Sequence, residues 1–204
     1  MLNHIEGAEY NLNFVQISGS QLKLGESLLT DGVKNLSLSN KGIDADWTEL
    51  NYSNCTLLTS ISFDGGKSIN VNCEILPNKL NNLTMINTKI QNINNFSGMN
   101  QVTSLDVRNN SISDLSFLQD YFKYDSNGKL YCDSPITTLN LQNNVLSDMT
   151  TININGTTVT NYTSYFLSLM PNLKTVKLSG NEDLKTFNYL TDNGFINNGN
   201  NFSK

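Results

Sequence analysis

The stretch "TSLDVRNNSI", residues 103 to 112, returns almost unchanged in shape as "TTLNLQNNVL" at residues 137 to 146. Each writes apolar, polar, apolar and then a pair of asparagines. Alternation of that kind predicts a short strand with Leu105 and Val107 turned inward and Asp106 and Arg108 outward. The pattern LxxLxLxxNxL fits Val102, Leu105, Val107, Asn110 and Ile112, and again Ile136, Leu139, Leu141, Asn144 and Leu146. Further registers start at Val33 (Leu36, Leu38, Lys41, Ile43), Leu80 (Leu83, Met85, Thr88, Ile90) and Leu173 (Val176, Leu178, Asn181, Leu184), with looser ones at Leu12 and Leu58. A spacing of about 22 residues, kept until two insertions lengthen it, marks an internal repeat.

The spacers keep a beat of three. After Ile90 come Ile93, Phe96 and Met99, and after Ile112 come Leu115, Leu118 and Tyr121; Leu184, Phe187 and Leu190 repeat it. A three-residue period suits a 3₁₀ or short irregular helix with one apolar edge. From about Leu12 to Leu190 the chain therefore resembles the leucine-rich repeat family, in particular its 22-residue internalin-like type.

The resemblance implies an α/β fold. The expected form is a leucine-rich repeat solenoid with a curved parallel β-sheet on the concave face, short 3₁₀ or irregular helices on the convex face and two inserted β-hairpins. No single repeat can bury its apolar side alone, so neighbours must stack. The asparagines Asn110, Asn144 and Asn181 then have a structural task. Where the chain turns inward off the strand, buried amides and carbonyls need partners, and a carboxamide can bridge successive turns. Earlier repeats depart from this, with Ser20, Lys41, Gly66 and Thr88 at the same position.

Two breaks interrupt the repeat, at 121–135 and 149–162. Each contains Asn-Gly between β-forming residues, Asn127-Gly128 and Asn155-Gly156, which predicts two inserted β-hairpins. A single domain over 1–204 is expected. It comprises degenerate repeats or an N-terminal cap at 1–53, including a short helix around Trp47; repeats over 54–190; and a C-terminal tail at 191–204, whose end "NNGNNFSK" at 197–204 is expected to fray.

Composition narrows the function. Net charge is -5, charged residues are 15% of the chain, asparagine outnumbers any charged type, and Arg108 is the single arginine, so no basic footprint for a phosphate backbone exists. The first residues lack the charged and apolar regions of a signal peptide and no apolar run reaches bilayer length, which predicts no membrane insertion and leaves localisation open. The bias to Asn, Lys and Ile points to an AT-rich bacterial or phage genome. Cys55, Cys73 and Cys132 have neither metal nor redox spacing and suggest buried thiols. The one histidine, His4, lies in the N-terminal arm, and "FDGGKS" at 63–68 lacks the spacing of a phosphate loop. No catalytic residue, metal site or cofactor is expected.

What remains is the outward strand face. One column holds Gln16, Ser37, Ser62, Thr84, Asp106, Asn140 and Lys177; the next holds Ser18, Ser39, Asp64, Ile86, Arg108, Gln142 and Ser179. The bulkier and charged members, Thr84, Ile86, Asp106, Arg108, Asn140, Gln142 and Lys177, gather next to the inserted hairpins and make the candidate partner-binding surface. A face of amides and hydroxyls suits a protein partner, or a glycan through bidentate amide contacts. The expected function is a non-catalytic protein-binding module. The alternatives are a structural component of a bacterial surface or virion assembly, or a glycan-binding adhesin-like module.

Overall fold

The computed structural model describes residues 9–13, 34–40, 52 and 55–204, with 9–13 and 38–40 described by backbone alone. His4, Gln16, Ser18, Ser20, Lys41 and Trp47 lie outside the described residues. The chain forms two compact units, Met1–Val102 and Thr103–Lys204. Both are mostly strand with a few short helices, broadly α/β, and no closed barrel occurs among the described residues.

In the first unit, β1 (Glu9–Asn13), β2 (Asn35–Asn40) and β3 (Ser60–Gly65) run parallel; β4 (Asn70–Asn72) follows, then β5 (Asn82–Ile86) beside β3, and β6 (Asn92–Asn94) beside β4. The register places Leu36, Ile61 and Leu83 side by side, all buried, while Ser62, Thr84 and Ile86 on the other face are part-exposed. One strand is out of the expected place. Asn11 and Asn13, not Gln16 and Ser18, lie opposite Ser37 and Ser39. The pairing instead uses the alternation of "EYNLN", where Tyr10 meets Leu36 and Leu12 meets Leu38. Here the three-residue beat is buried: Ile90, Ile93, Phe96, Met99 and Val102 all lie in the core, with 3₁₀ turns at Cys73–Ile75 and Phe96–Gly98.

The second unit repeats the plan with β7 (Ser104–Asp106). The first insertion forms β8 (Phe122–Tyr124) and β9 (Leu130–Cys132). Then come β10 (Thr138–Asn140) and the second insertion, β11 (Met149–Ile154) and β12 (Thr157–Tyr162). They are followed by α1 (Thr163–Ser168), β13 (Thr175–Lys177), α2 (Asn188–Asp192), β14 (Ile196–Asn197) and β15 (Asn201–Ser203). β7, β10 and β13 are parallel, with Leu105, Leu139 and Val176 aligned and fully buried.

The doubled asparagines have two separate jobs. The first of each pair, Asn109 and Asn143, sits at φ of 57° and 51°, the left-handed region that asparagine and glycine enter most cheaply. Asn87 and Gly180 hold the same place in their repeats at 58° and 78°. At Gly180 a Cβ would collide with the Asn143 carboxamide as it stands, so any other residue there would have to push that side chain aside. The second asparagine is a buried bridge. Asn144 donates from Nδ2 to the Val107 carbonyl (3.0 Å) and the Leu141 carbonyl (3.1 Å), while its Oδ1 accepts from the Ile112 N–H (3.0 Å). Asn181 does the same one repeat later, with the Leu141 and Leu178 carbonyls (2.9 and 2.8 Å) and the Leu146 N–H (3.0 Å). Asn110 donates to the Val107 carbonyl at 2.9 Å.

Both insertions are antiparallel hairpins. Asn155 and Gly156 are both at positive φ, as a two-residue turn requires. In the first hairpin only Gly128 is, because the Asp125 carboxylate caps a wider loop by accepting from the N–H groups of Asn127 and Lys129 at 2.9 and 2.8 Å. The hairpins pack chiefly on the 3₁₀ segment Ser116–Tyr121, with the Phe122 ring edge-on to Phe166 of α1.

The tail expected to fray is ordered. β15 pairs antiparallel with β13 and with β14, and Phe202 is buried against Phe187, ring centroids 5.1 Å apart. Burying one phenylalanine stabilises by about 2 kcal/mol, enough to hold a short hairpin on a preformed edge.

Asp148 fastens the helical side of the unit. Its Oδ1 accepts from the N–H groups of Lys185 and Thr186 (2.7 and 2.6 Å) and its Oδ2 from the Thr186 hydroxyl (2.8 Å). Burial alone would raise this carboxyl, but those hydrogen bonds and the Lys185 charge together hold it below the ordinary 3.8.

Asn144→Ala strands a buried amide and removes a donor from two carbonyls, and should cost about 3 kcal/mol in chemical denaturation. For Asp148 the folded state favours the carboxylate, so its contribution is complete above the unfolded value and lost as pH falls through the lower folded one. The stability gap between the native chain and Asp148→Ala should therefore be constant near neutrality and narrow only below 3.8, measured by thermal melts across pH.

Candidate functional site

The side of the second unit's sheet away from the core carries a continuous polar surface. Pairing sets Asp106, Asn140, Lys177 and Asn201 in one row across β7, β10, β13 and β15, about 4.8 Å apart per strand. Arg108, Gln142 and Ser179 come two residues after the last residue of β7, β10 and β13. Asp106 and Asn140 fold back to cap their own strand ends, Oδ1 accepting from the N–H of Arg108 and of Gln142, each at 3.2 Å. Asn140 Nδ2 also donates to Asp106 Oδ2 at 3.2 Å, and the Arg108 guanidinium lies 3.4 Å from the same oxygen. Gln142 Nε2 donates to Ser179 Oγ (2.5 Å) and to Asn201 Oδ1 (3.3 Å).

The row is thus a tied network, with its members at different depths. Asn140 is 4% exposed and supports the surface from beneath; Asp106, Arg108, Gln142 and Lys177 are part-exposed and form it. Arg108 uses part of its donor fork on Asp106, and Lys177 has no acidic partner among the described residues. Thr84 and Ile86 lie on β5 in the first unit, opposite Ser62 and Asp64, and are part-exposed there. Asn110, Asn144 and Asn181 are the structural bridges already described. The first hairpin leaves the chain directly after Ser116–Tyr121 and the second directly before α1, and both pack on these helical segments.

Asn201 is the member that sequence reading missed. Its signal was present in "FINNGNNFS": Gly-Asn between β-forming Ile196 and Phe202 is a two-residue turn signal, and Gly199 and Asn200, both at positive φ, make that turn between the closing pair Asn198 and Asn201, which returns Asn201 to the sheet. Asn109 is a turn residue whose Oδ1 accepts from Asn143 Nδ2 at 2.7 Å.

Chemically the surface offers amides, a hydroxyl, a guanidinium and an ammonium. The strongest nucleophiles of the chain lie elsewhere. Cys55, Cys73 and Cys132 are free and buried, and burial pushes their thiols up to about 11, 12 and 11, so they are neutral at physiological pH. Among the described residues no group of three His, Cys, Asp or Glu side chains could hold a metal ion, and no helix is long and apolar enough to cross a membrane.

Comparison with protein-family models, with curated proteins and with solved structures finds no match to this chain.

The thiols give a check on the packing. In native buffer a maleimide or disulfide reagent should label none of the three at an appreciable rate, and all three should react once denaturant unfolds the chain.

Proposed function

We propose that this chain is a non-catalytic protein-binding module of leucine-rich repeat type, and that it binds through the open face of its parallel strands. The observation that carries the reading is the tied row from Asp106 to Asn201. The side chains of Asp106, Asn140, Gln142, Ser179 and Asn201 are tied to one another, with Lys177 standing outside the network, so little rotamer entropy is lost at those residues when a partner docks, and the cost of association falls. The repeat length, the inward leucines and the asparagine bridges support the family reading. Little charge on the surface favours a partner recognised by hydrogen bonding and shape over a polyanion.

Arg108 and Gln142 are the residues to vary. Both are part-exposed and neither is in the buried ladder, so Arg108→Glu and Gln142→Ala should leave the melting temperature within a few degrees of the native value. Each should weaken partner binding by roughly tenfold or more, a typical loss for an interface anchor. Affinity capture from the source cells with the native chain and both variants, read by mass spectrometry, checks this. A partner retained equally by all three would overturn the strand-face reading.

A further inference from the structure

The β11–β12 hairpin has one covered edge and one open edge. Its two-residue turn closes with the pair Ile154 and Thr157. Hydrogen-bonded and non-bonded pairs alternate in an antiparallel ribbon, so the backbone groups of Thr158, Thr160 and Tyr162 point away from β11, and those of Asn153 point away from β12. On the β11 side the Asn153 N–H is taken by Gln119 Oε1 (3.1 Å), and Thr150 Oγ1 binds the Leu115 N–H (3.0 Å). On the β12 side the Tyr162 N–H is capped by Asn161 Oδ1 (2.8 Å), while the backbone of Thr158 and Thr160 has no partner among the described residues and both are exposed.

Natural sheets protect such an edge with a charge, a proline or a bulge. Here the whole segment from Met149 to Tyr162 contains no charged residue and no proline, in a chain of net charge -5, and "TTVTNY" is rich in β-forming residues. Aromatic side chains stand at its end. Tyr162 is 5.6 Å from Tyr189, which is 5.4 Å from Tyr165, and the exposed Met149 lies across the ribbon from Tyr162. Tyrosine and methionine with charge excluded is the composition of an interface core.

We infer that β12 is a self-association edge, which pairs antiparallel with β12 of a second copy to make a four-stranded sheet. A two-fold axis at Val159 sets Thr158 opposite Thr160 of the other copy and Thr160 opposite its Thr158. Every free N–H then meets a free carbonyl, with no sequence needed but the strand's own. The same axis brings Tyr162 over Gly156 of the other copy, where a side chain would meet nothing within 4 Å. Two molecules of like net charge meet with least repulsion on their uncharged segment. The inference is independent of the strand-face reading, since the hairpin packs on the helical segments.

Sedimentation velocity of the full chain over a concentration series should show a monomer–dimer equilibrium. Thr158→Lys with Thr160→Lys places like charges opposite one another and should weaken the dimer about tenfold or more. Val159→Cys supplies an accessible thiol on the axis, next to its own copy within disulfide reach, and should cross-link under mild oxidation far faster than Thr151→Cys on β11. A native chain that stays monomeric throughout would overturn the inference. So would a dimer indifferent to Thr158→Lys with Thr160→Lys, or Val159→Cys cross-linking no faster than Thr151→Cys.

Discussion

The interaction on which the second unit depends is the buried carboxamide bridge of Asn144 and Asn181. A strand three residues long makes too few ladder bonds to hold a register by itself, and the chain leaves each strand by turning into the core. That turn exposes N–H and carbonyl groups to an apolar interior, where an unmade hydrogen bond costs about 1 to 3 kcal/mol. Asn144 meets two carbonyls and one N–H there, drawn from its own repeat and the one before, and so fixes the step between them. With the step fixed, Leu105, Leu139 and Val176 fall into line, and so do the outward side chains.

The left-handed residue just before each bridge is the second half of the device. It reverses the chain so that the carboxamide points inward, and asparagine does this while offering its own side chain for a second, exposed ladder from Asn143 to Asn109. The first unit builds comparable exposed ladders from Asn92 to Asn70 and from Asn95 to Asn72. An abundance of asparagine that composition alone would assign to codon bias therefore has structural use at many positions.

The polar row follows from the same register. Since parallel strands repeat the same residue positions side by side, each outward pair becomes a column, and short polar side chains in adjacent columns are within hydrogen-bonding reach. Network and surface are one object here: the bonds that hold Gln142 in place are made to Ser179, just past the end of β13, and to Asn201 on β15. The two insertions were added where the chain is on the helical side. They lengthen the repeats without disturbing the strands, and they create a second surface of different character, uncharged, threonine-rich and edged with tyrosine.

Much of this was legible in the residues. Alternating Leu105 and Val107, the three-residue beat through Ile90, Ile93, Phe96 and Met99, and Asn-Gly at 155–156 each report a local preference, and local preferences are written in neighbouring residues. The strand positions, the buried beat and the second hairpin's turn could be read for that reason. Other features depend on what lies far along the chain. The pairing of Glu9–Asn13 with β2, the return of Phe202 to cover the sheet edge and the depth of Asn140 are set by which surface was left open to cover. The distance from Lys177 to Asn201 in sequence carries no hint that they are neighbours; only the antiparallel closure of the tail, driven by the burial of Phe202, puts them side by side.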